Sequence, residues 1–373
     1  SGTSTATGFR LCFLASLLCM LTANPAWGAA AGSGDDYDRP ERTTLSSTTP
    51  RQPEPTYRIE AGRDGDVFPA FANYASLRSP EQRSWGVVSV FLNNPTELPV
   101  RERVSVIVPG WSDEEIQTVD LAGGASLKLI FAPAFHARLY ENREIVAASA
   151  KVKITDTGAH LLYSATVPLR LRAAEDMFWG ARFQYAPFIA SWVTPHDTRV
   201  EQVLGRAKEG MPGRRLPGYE PWKTPVQQEK STRMQARAIY NALQQWGVSY
   251  VKSSFTLGNH QSVSERVRTP HESIEESSAN CIDGSVLFAS AFENLGMQPI
   301  IVLVPGHAYV GVKLAEKLDQ YLYIDTSLVG RVPFESAINI AEKGLARLAP
   351  AQITRISIAE AREAGIYPMP LTK

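Results

Sequence analysis

The chain has 373 residues, 44% of them hydrophobic and 20% charged, with 38 Lys and Arg balanced by 38 Asp and Glu. A neutral balance argues against a dedicated nucleic-acid or polyanion binder. Past the N-terminus no apolar run reaches the about 20 residues of a spanning helix, which excludes a multi-pass membrane protein. The length suits two domains.

At the N-terminus Arg10 precedes the apolar run 11–21 and then the small-residue stretch Ala26-Trp27-Gly28-Ala29-Ala30-Ala31. A positive residue, a short apolar core and a small-residue cleavage context read as a secretory signal peptide over 1–28. The expected location is therefore the periplasm or the extracellular space, with no integral membrane domain after cleavage. The alternative is an uncleaved N-terminal anchor, although Asn24-Pro25 breaks the apolar run early. Cleavage removes Cys12 and Cys19 and leaves Cys281 as the one cysteine. A single thiol cannot close an internal disulfide. Cys281 is then either a small buried hydrophobe or a nucleophile.

Residues 29–65 are rich in Pro, Ser, Thr and charge and read as a disordered linker. From 66 to 182, short alternating runs end at turn signals: residues 85–92 before Asn93-Asn94-Pro95, 103–108 before Pro109-Gly110, and 146–154 before Thr157-Gly158. Such spacing predicts an antiparallel β-sandwich, immunoglobulin-like in kind. Residues 183–230 form a Gly- and Pro-rich connection. Residues 231–373 are a second, α+β domain, opening with a helix from Ser231 whose stripe is Ile239, Ala242, Leu243 and Trp246.

The run from Ser278 to Gly296 predicts a mostly buried helix capped by Asn280, with Asp283 as a helix-start charge. Cys281 thus begins that helix, where free amides and the helix dipole favour a thiolate and an adjacent oxyanion. Residues 299–304 predict a buried strand, Pro305-Gly306 a turn, and 307–314 an alternating strand in which His307 and Tyr309 share a face. A further strand, 321–325, ends at Asp325. If these strands pair as neighbours, Asp325 can steady the His307 imidazole, which can take the Cys281 proton.

Ser231, Ser264 and Ser278 have no G-x-S-x-G elbow. Cys281, His307 and Asp325 as a zinc site lack the closely spaced Cys and His of such sites. His260 and His271 read as polar loop residues, and Gln261 as a possible oxyanion donor in a segment that otherwise reads as surface loop. Trp192 to Asp197 reads as a docking arm or a linker.

The motifs Asn280-Cys281-Ile282-Asp283, Pro305-Gly306-His307-Ala308-Tyr309 and Tyr323-Ile324-Asp325-Thr326, in that order, resemble the transglutaminase-like superfamily. The resemblance covers about a quarter of the chain, residues 234–330. It implies a papain-like α+β core with Cys281 as nucleophile, His307 as general base and acid, and Asp325 as orienter. Acyl transfer on amides through a Cys thioester would need no cofactor or metal. The substrate would be a protein, a peptide or cell wall. Tyr309, an aromatic where the family often has Trp, joins Gln261 as a candidate substrate or oxyanion contact. With no acidic cluster resembling a calcium loop, hydrolysis is favoured over crosslinking. The rival from another class is a non-catalytic binding or structural envelope protein that keeps the fold.

Overall fold

The computed structural model describes residues 53–251 and 264–370, a mixed α+β protein. The expected signal peptide, most of the expected linker, His260 and Gln261 lie outside the described residues. The N-terminal strands are β1 (Thr56–Ala61), β2 (Asp66–Val67), β3 (Val88–Asn93), β4 (Val100–Ile107), β5 (Glu115–Leu121), β6 (Ser126–Phe131), β7 (Val146–Thr155), β8 (Leu161–Leu171) and β9 (Asp176–Phe178). They are accompanied by helices α1 (Pro69–Ser76) and α2 (Ala137–Tyr140). β1, β3 and β6 form one sheet in that order, and β2-β8-β7-β4-β5 another. All pairs in the two sheets are antiparallel except β2 with β8. Alternation sends Val88, Val90 and Leu92 of one sheet, and Val104, Val106, Val152 and Ile154 of the other, into one buried cluster.

The linker expected over 29–65 gives way to structure at Thr56. Tyr57, Ile59 and Ala61 alternate with Arg58 and Glu60, and the inward set pairs onto β3 in a register that runs from Thr56 opposite Asn93 to Ala61 opposite Val88. Composition alone hides this strand because its outward residues are charged.

The rest of the chain adds α3 (Thr198–Ala207), α4 (Pro225–Trp246), β10 (Ser249–Tyr250), β11 (Ser264–Arg266), α5 (Pro270–Glu275), β12 (Ser278–Ala279) and α6 (Cys281–Asn294). Next come β13 (Pro299–Val304), β14 (His307–Ala315), β15 (Leu318–Ile324), α7 (Phe334–Ala346), β16 (Thr354–Ser357) and α8 (Ile358–Glu363). α4 starts earlier than Ser231. Thr224 accepts from the Gln227 amide and Pro225 supplies a preset first turn. Ser231 is therefore buried inside the helix, where its hydroxyl accepts from Gln235 Nε2 at 3.0 Å.

The sheet β15-β14-β13-β16 is antiparallel throughout and positions the site. Ile301, Leu303, Ala308, Val310, Val312, Leu322 and Ile324 join the main core shared with α4 and α6. On the opposite face Ile300, Val302, Val304 and Tyr309 pack with Ala341 and Leu345 of α7. That face of β14, which alternation in sequence marks as polar, is covered.

Segment 186–197 is docked against α6. Trp192 is fully buried, the Thr194 amide donates to Ser290 Oγ at 2.9 Å, and the Asn294 amide group donates to the Pro195 carbonyl at 2.7 Å. Arg362 of α8 reaches Glu293 at 2.9 Å and the carbonyls of Ala190 and Val193, each also at 2.9 Å. One guanidinium therefore ties the segment, α6 and α8 together. Among the described residues no helix is long and apolar enough to cross a membrane.

Candidate functional site

The site is built from the start of α6 outward. Asn280 is extended and caps the helix: its side chain accepts from the Asp283 amide at 2.8 Å, and the Asp283 carboxylate accepts from the Asn280 amide at 3.0 Å. This reciprocal box fixes the first turn, where amides lack intrahelical acceptors. Asp283 is fully buried and also accepts from the Arg268 amide at 2.8 Å, with the Arg268 guanidinium at 3.3 Å. Burial pushes its carboxyl up from the usual range, against the pull of Asn280 and Arg268. Its carboxylate is occupied by the Asn280 and Arg268 donors, which anchor the helix start.

Cys281 is the first residue of that helix and is 2% exposed. Its carbonyl accepts from Ser285 Oγ at 2.7 Å and from Thr326 Oγ1 at 3.3 Å. The Thr326 bond joins α6 directly to the turn after β15. Gly284 makes the approach possible: a Cβ there would stand 2.5 Å from Thr326 Oγ1.

His307 opens β14 after the Pro305-Gly306 turn, opposite Val304 of β13, and Gly306 takes the positive φ of 74° that the turn requires. β14 pairs with β15 in a register that sets Val310 opposite Ile324, which leaves Asp325 at the same sheet end as His307. His307 Nε2 lies 3.1 Å from Asp325 Oδ1. Asp325 Oδ1 also accepts from the Ser327 amide at 3.1 Å and its hydroxyl at 2.6 Å. Cys281 is the second side-chain partner of the imidazole. Nε2 is buried, and its contact with Asp325 Oδ1 is an ion pair rather than an aligned hydrogen bond.

Burial alone would lower the imidazole, but bonding and charge from Asp325 and Cys281 outweigh it and raise His307 from 6.5 to about 9. Burial would raise the Asp325 carboxyl, yet His307 and Ser327 hold it below its ordinary range. The two side chains favour an imidazolium beside a carboxylate. The His307 side chain is 25% exposed and that of Asp325 8%, so solvent meets the site at the imidazole.

Tyr309 stands edge-on to His307, with ring centroids 4.7 Å apart and planes at 80°. Its hydroxyl abuts Gly344 of α7, where a Cβ would come within 2.5 Å. It therefore walls the imidazole, with its hydroxyl directed toward α7. Gln261 falls outside the described residues. His271 sits in α5, 3.2 Å from Asp197 and 3.4 Å from Glu275, bracing α5 against the 186–197 segment.

Three contributors are not visible in the sequence pattern: Ser327, which loads Asp325; the Gly284–Thr326 approach; and Tyr250, whose phenol feels the charges of Cys281 and Asp325. A glycine three residues into an otherwise apolar helix is the one signal that marks a close approach there.

No family model matches the chain, and no curated protein matches it. Among solved structures it is similar to a late embryogenesis abundant (LEA) protein, at 13% identity over 32% of this chain and 69% of that one, with a TM-score of 0.17. It is also similar to red sea bream transglutaminase, at 8% identity and a TM-score of 0.21. That likeness covers 74% of this chain and 53% of the transglutaminase.

Proposed function

We propose that the protein is an exported cysteine enzyme of transglutaminase-like kind, which cleaves or transfers an amide acyl group through a Cys281 thioester. One observation supports this reading: His307 lies 3.1 Å from Asp325 and is raised to about 9 by that carboxylate and by Cys281, the first residue of a buried helix. Cys281 gives its proton to His307, and the thiolate attacks the carbonyl carbon. First-turn amides of α6 receive the oxyanion, and His307 returns the proton to the departing amine. Water then enters past the exposed edge of His307, loses a proton to it and releases the acid; an amine in its place gives transfer. Asp325 holds the ring and its charge throughout.

The N-terminal strands, read as a sandwich, would present a protein, peptide or cell-wall substrate in the periplasm or outside the cell.

The burial of Cys281 favours a second reading, a fold retained for binding with an inert thiol. Iodoacetamide separates the two. A nucleophile is alkylated in the folded protein below about pH 8, and His307→Ala slows the reaction at least about tenfold. A thiol that reacts only after unfolding, or at equal rates in wild type and His307→Ala, removes the enzyme reading.

A further inference from the structure

A groove lies between the segment 211–222 and the first three turns of α4. It holds about 610 Å³, within the about 300–1,000 Å³ usual for a small-molecule site. Side-chain amides of α4 preset its outer wall. Gln235, fully buried, accepts from the Gly218 amide and donates to the Gly218 carbonyl, both at 2.8 Å. Two turns earlier Gln228 Nε2 donates to the Trp222 carbonyl at 3.0 Å, and Tyr219 Oη ties the segment to the Lys313 carbonyl at 2.6 Å. The lining is mostly hydrocarbon. Pro212, Pro217 and Pro221 are rigid and carry no N–H, whereas Met211 and Met234 are pliable thioethers. Trp222 also lines the groove and is 40% exposed, which leaves part of a large ring uncovered.

Two cations, Arg215 and Lys230, share this lining, and no acidic residue does. Other cations close by in sequence are spent in ion pairs, Arg214 with Glu209 at 2.6 Å and Arg233 with Glu229 at 3.0 Å. Arg215 and Lys230 have no such partner among the described residues. We propose that this groove binds a single-chain fatty acid as the free monomer, its alkyl chain on the proline, methionine and indole surface and its carboxylate taken by Arg215 and Lys230. The guanidinium offers a planar fork to the two oxygens, and the ammonium adds a point charge. A peptide of equal bulk fits less well. Its amides would meet prolines with no N–H to give and thioethers that accept only weakly, a desolvation cost that an alkyl chain does not incur. A neutral or cationic amphiphile would leave both cations without a counter-charge. The groove shares no residue with Cys281, His307 or Asp325, so the inference stands apart from the cysteine-enzyme reading.

Isothermal titration calorimetry of the full chain tests this with octanoate, decanoate and dodecanoate below their micelle concentrations, and with decan-1-ol as the uncharged companion. Affinity should rise about two- to fourfold per added methylene, as hydrocarbon burial requires. The double variant Arg215→Gln/Lys230→Gln should weaken decanoate at least about tenfold and leave decan-1-ol within roughly twofold. Both positions are exposed, so its urea midpoint should match wild type. Absence of decanoate binding overturns the proposal, and so does an affinity that ignores chain length, which would be ion pairing alone. Equal decanoate binding by wild type and variant, or an equal loss of decan-1-ol in the variant, also overturns it, because the carboxylate would then not be what the cations hold. A leucine tripeptide carboxylate that binds more tightly than dodecanoate overturns it in favour of a peptide. Attachment to phosphatidylglycerol vesicles without uptake of monomeric decanoate overturns it in favour of a membrane surface.

Discussion

His307 Nε2 and Asp325 Oδ1 are 3.1 Å apart, at the one end of the sheet where α6 begins. This pair, with bonding and charge from Cys281, raises the imidazole from 6.5 to about 9 despite its burial. A His raised in the folded state contributes stability that is fully present below its unfolded value and lost as pH climbs through its folded value. The stability measured by urea unfolding should therefore lose the His307 contribution, on the order of 3 kcal/mol, between about pH 6.5 and 9. His307→Gln should flatten that decline, and Asp325→Asn should bring the imidazole resonance, followed by NMR, back toward its ordinary titration. An imidazole that titrates identically in wild type and Asp325→Asn would show that the carboxylate does not govern it.

Gly284 and Thr326 set how closely the Asp325 turn can approach Cys281. In a helix interior, Gly→Ala ordinarily gains about 1 kcal/mol. Here the added methyl would stand 2.5 Å from Thr326 Oγ1 and 2.8 Å from its Cβ, with both residues buried. Neither neighbour has room to yield, so Gly284→Ala should destabilise by roughly 1–3 kcal/mol. By moving the turn it should also lower the His307 titration and slow alkylation of Cys281. A Gly284→Ala protein as stable as wild type would mean that the turn is free to shift.

Where the local code is strong, the sequence predicts this architecture closely. Asn280 followed by Asp283 marks the α6 start, and 3.6-residue periodicity marks its buried length. Strands β13, β14 and β15 stand out as apolar or alternating runs separated by Pro305-Gly306 and a polar link, and adjacency in sequence predicts their antiparallel neighbourhood. What escapes is non-local. β10 is two residues long and pairs in parallel with a distant strand, Ser249 opposite Ser278 and Tyr250 opposite Ala279, so nothing local announces it. The Tyr309 face of β14 reads as polar because α7, which covers it, comes later in the chain. The Thr224–Pro225 start of α4 is obscured by polar residues on its first two turns.

Arg63 is enclosed by aromatic rings: its guanidinium carbon lies 4.2 Å from the Phe71 centroid, 4.6 Å from Tyr185, 4.9 Å from Trp85 and 5.3 Å from Phe178. Burial lowers its pKa, partly offset by Tyr185. Its backbone is left-handed, with φ 47°. Removing the planar cation should cost about 2–3 kcal/mol in Arg63→Ala, and Lys should recover only part because it cannot stack. Arg63→Gly should be about 1 kcal/mol less costly than Arg63→Ala, since it relieves the backbone strain. Chemical denaturation of the three variants measures these differences. Equal stability for all three and the wild type would leave the aromatic enclosure without energetic weight.

Glu265 places a carboxyl beside the Trp179 indole, with Oε1 buried. Burial raises it from 4.5 to about 8, Trp179 opposes the shift, and the charge of Asp283 adds to it. A raised carboxyl contributes stability that is present below its unfolded value and lost as pH rises through its folded value. The unfolded chain releases this proton near pH 4.5, whereas the folded chain keeps it until about 8, so stability should decline across that window. Between pH 4.5 and 6.5 Glu265 contributes to the decline together with the other buried carboxyls that burial raises, Asp283 among them, while the His307 contribution is still constant. Glu265→Gln keeps the shape without the charge, so it should make the decline shallower from pH 4.5 to 8 and leave the His307 contribution between 6.5 and 9 in place. At pH 8 and above it should be more stable than wild type by on the order of a few kcal/mol. Parallel urea midpoint curves for wild type and Glu265→Gln from pH 4.5 to 8 would show that the carboxyl ionises normally.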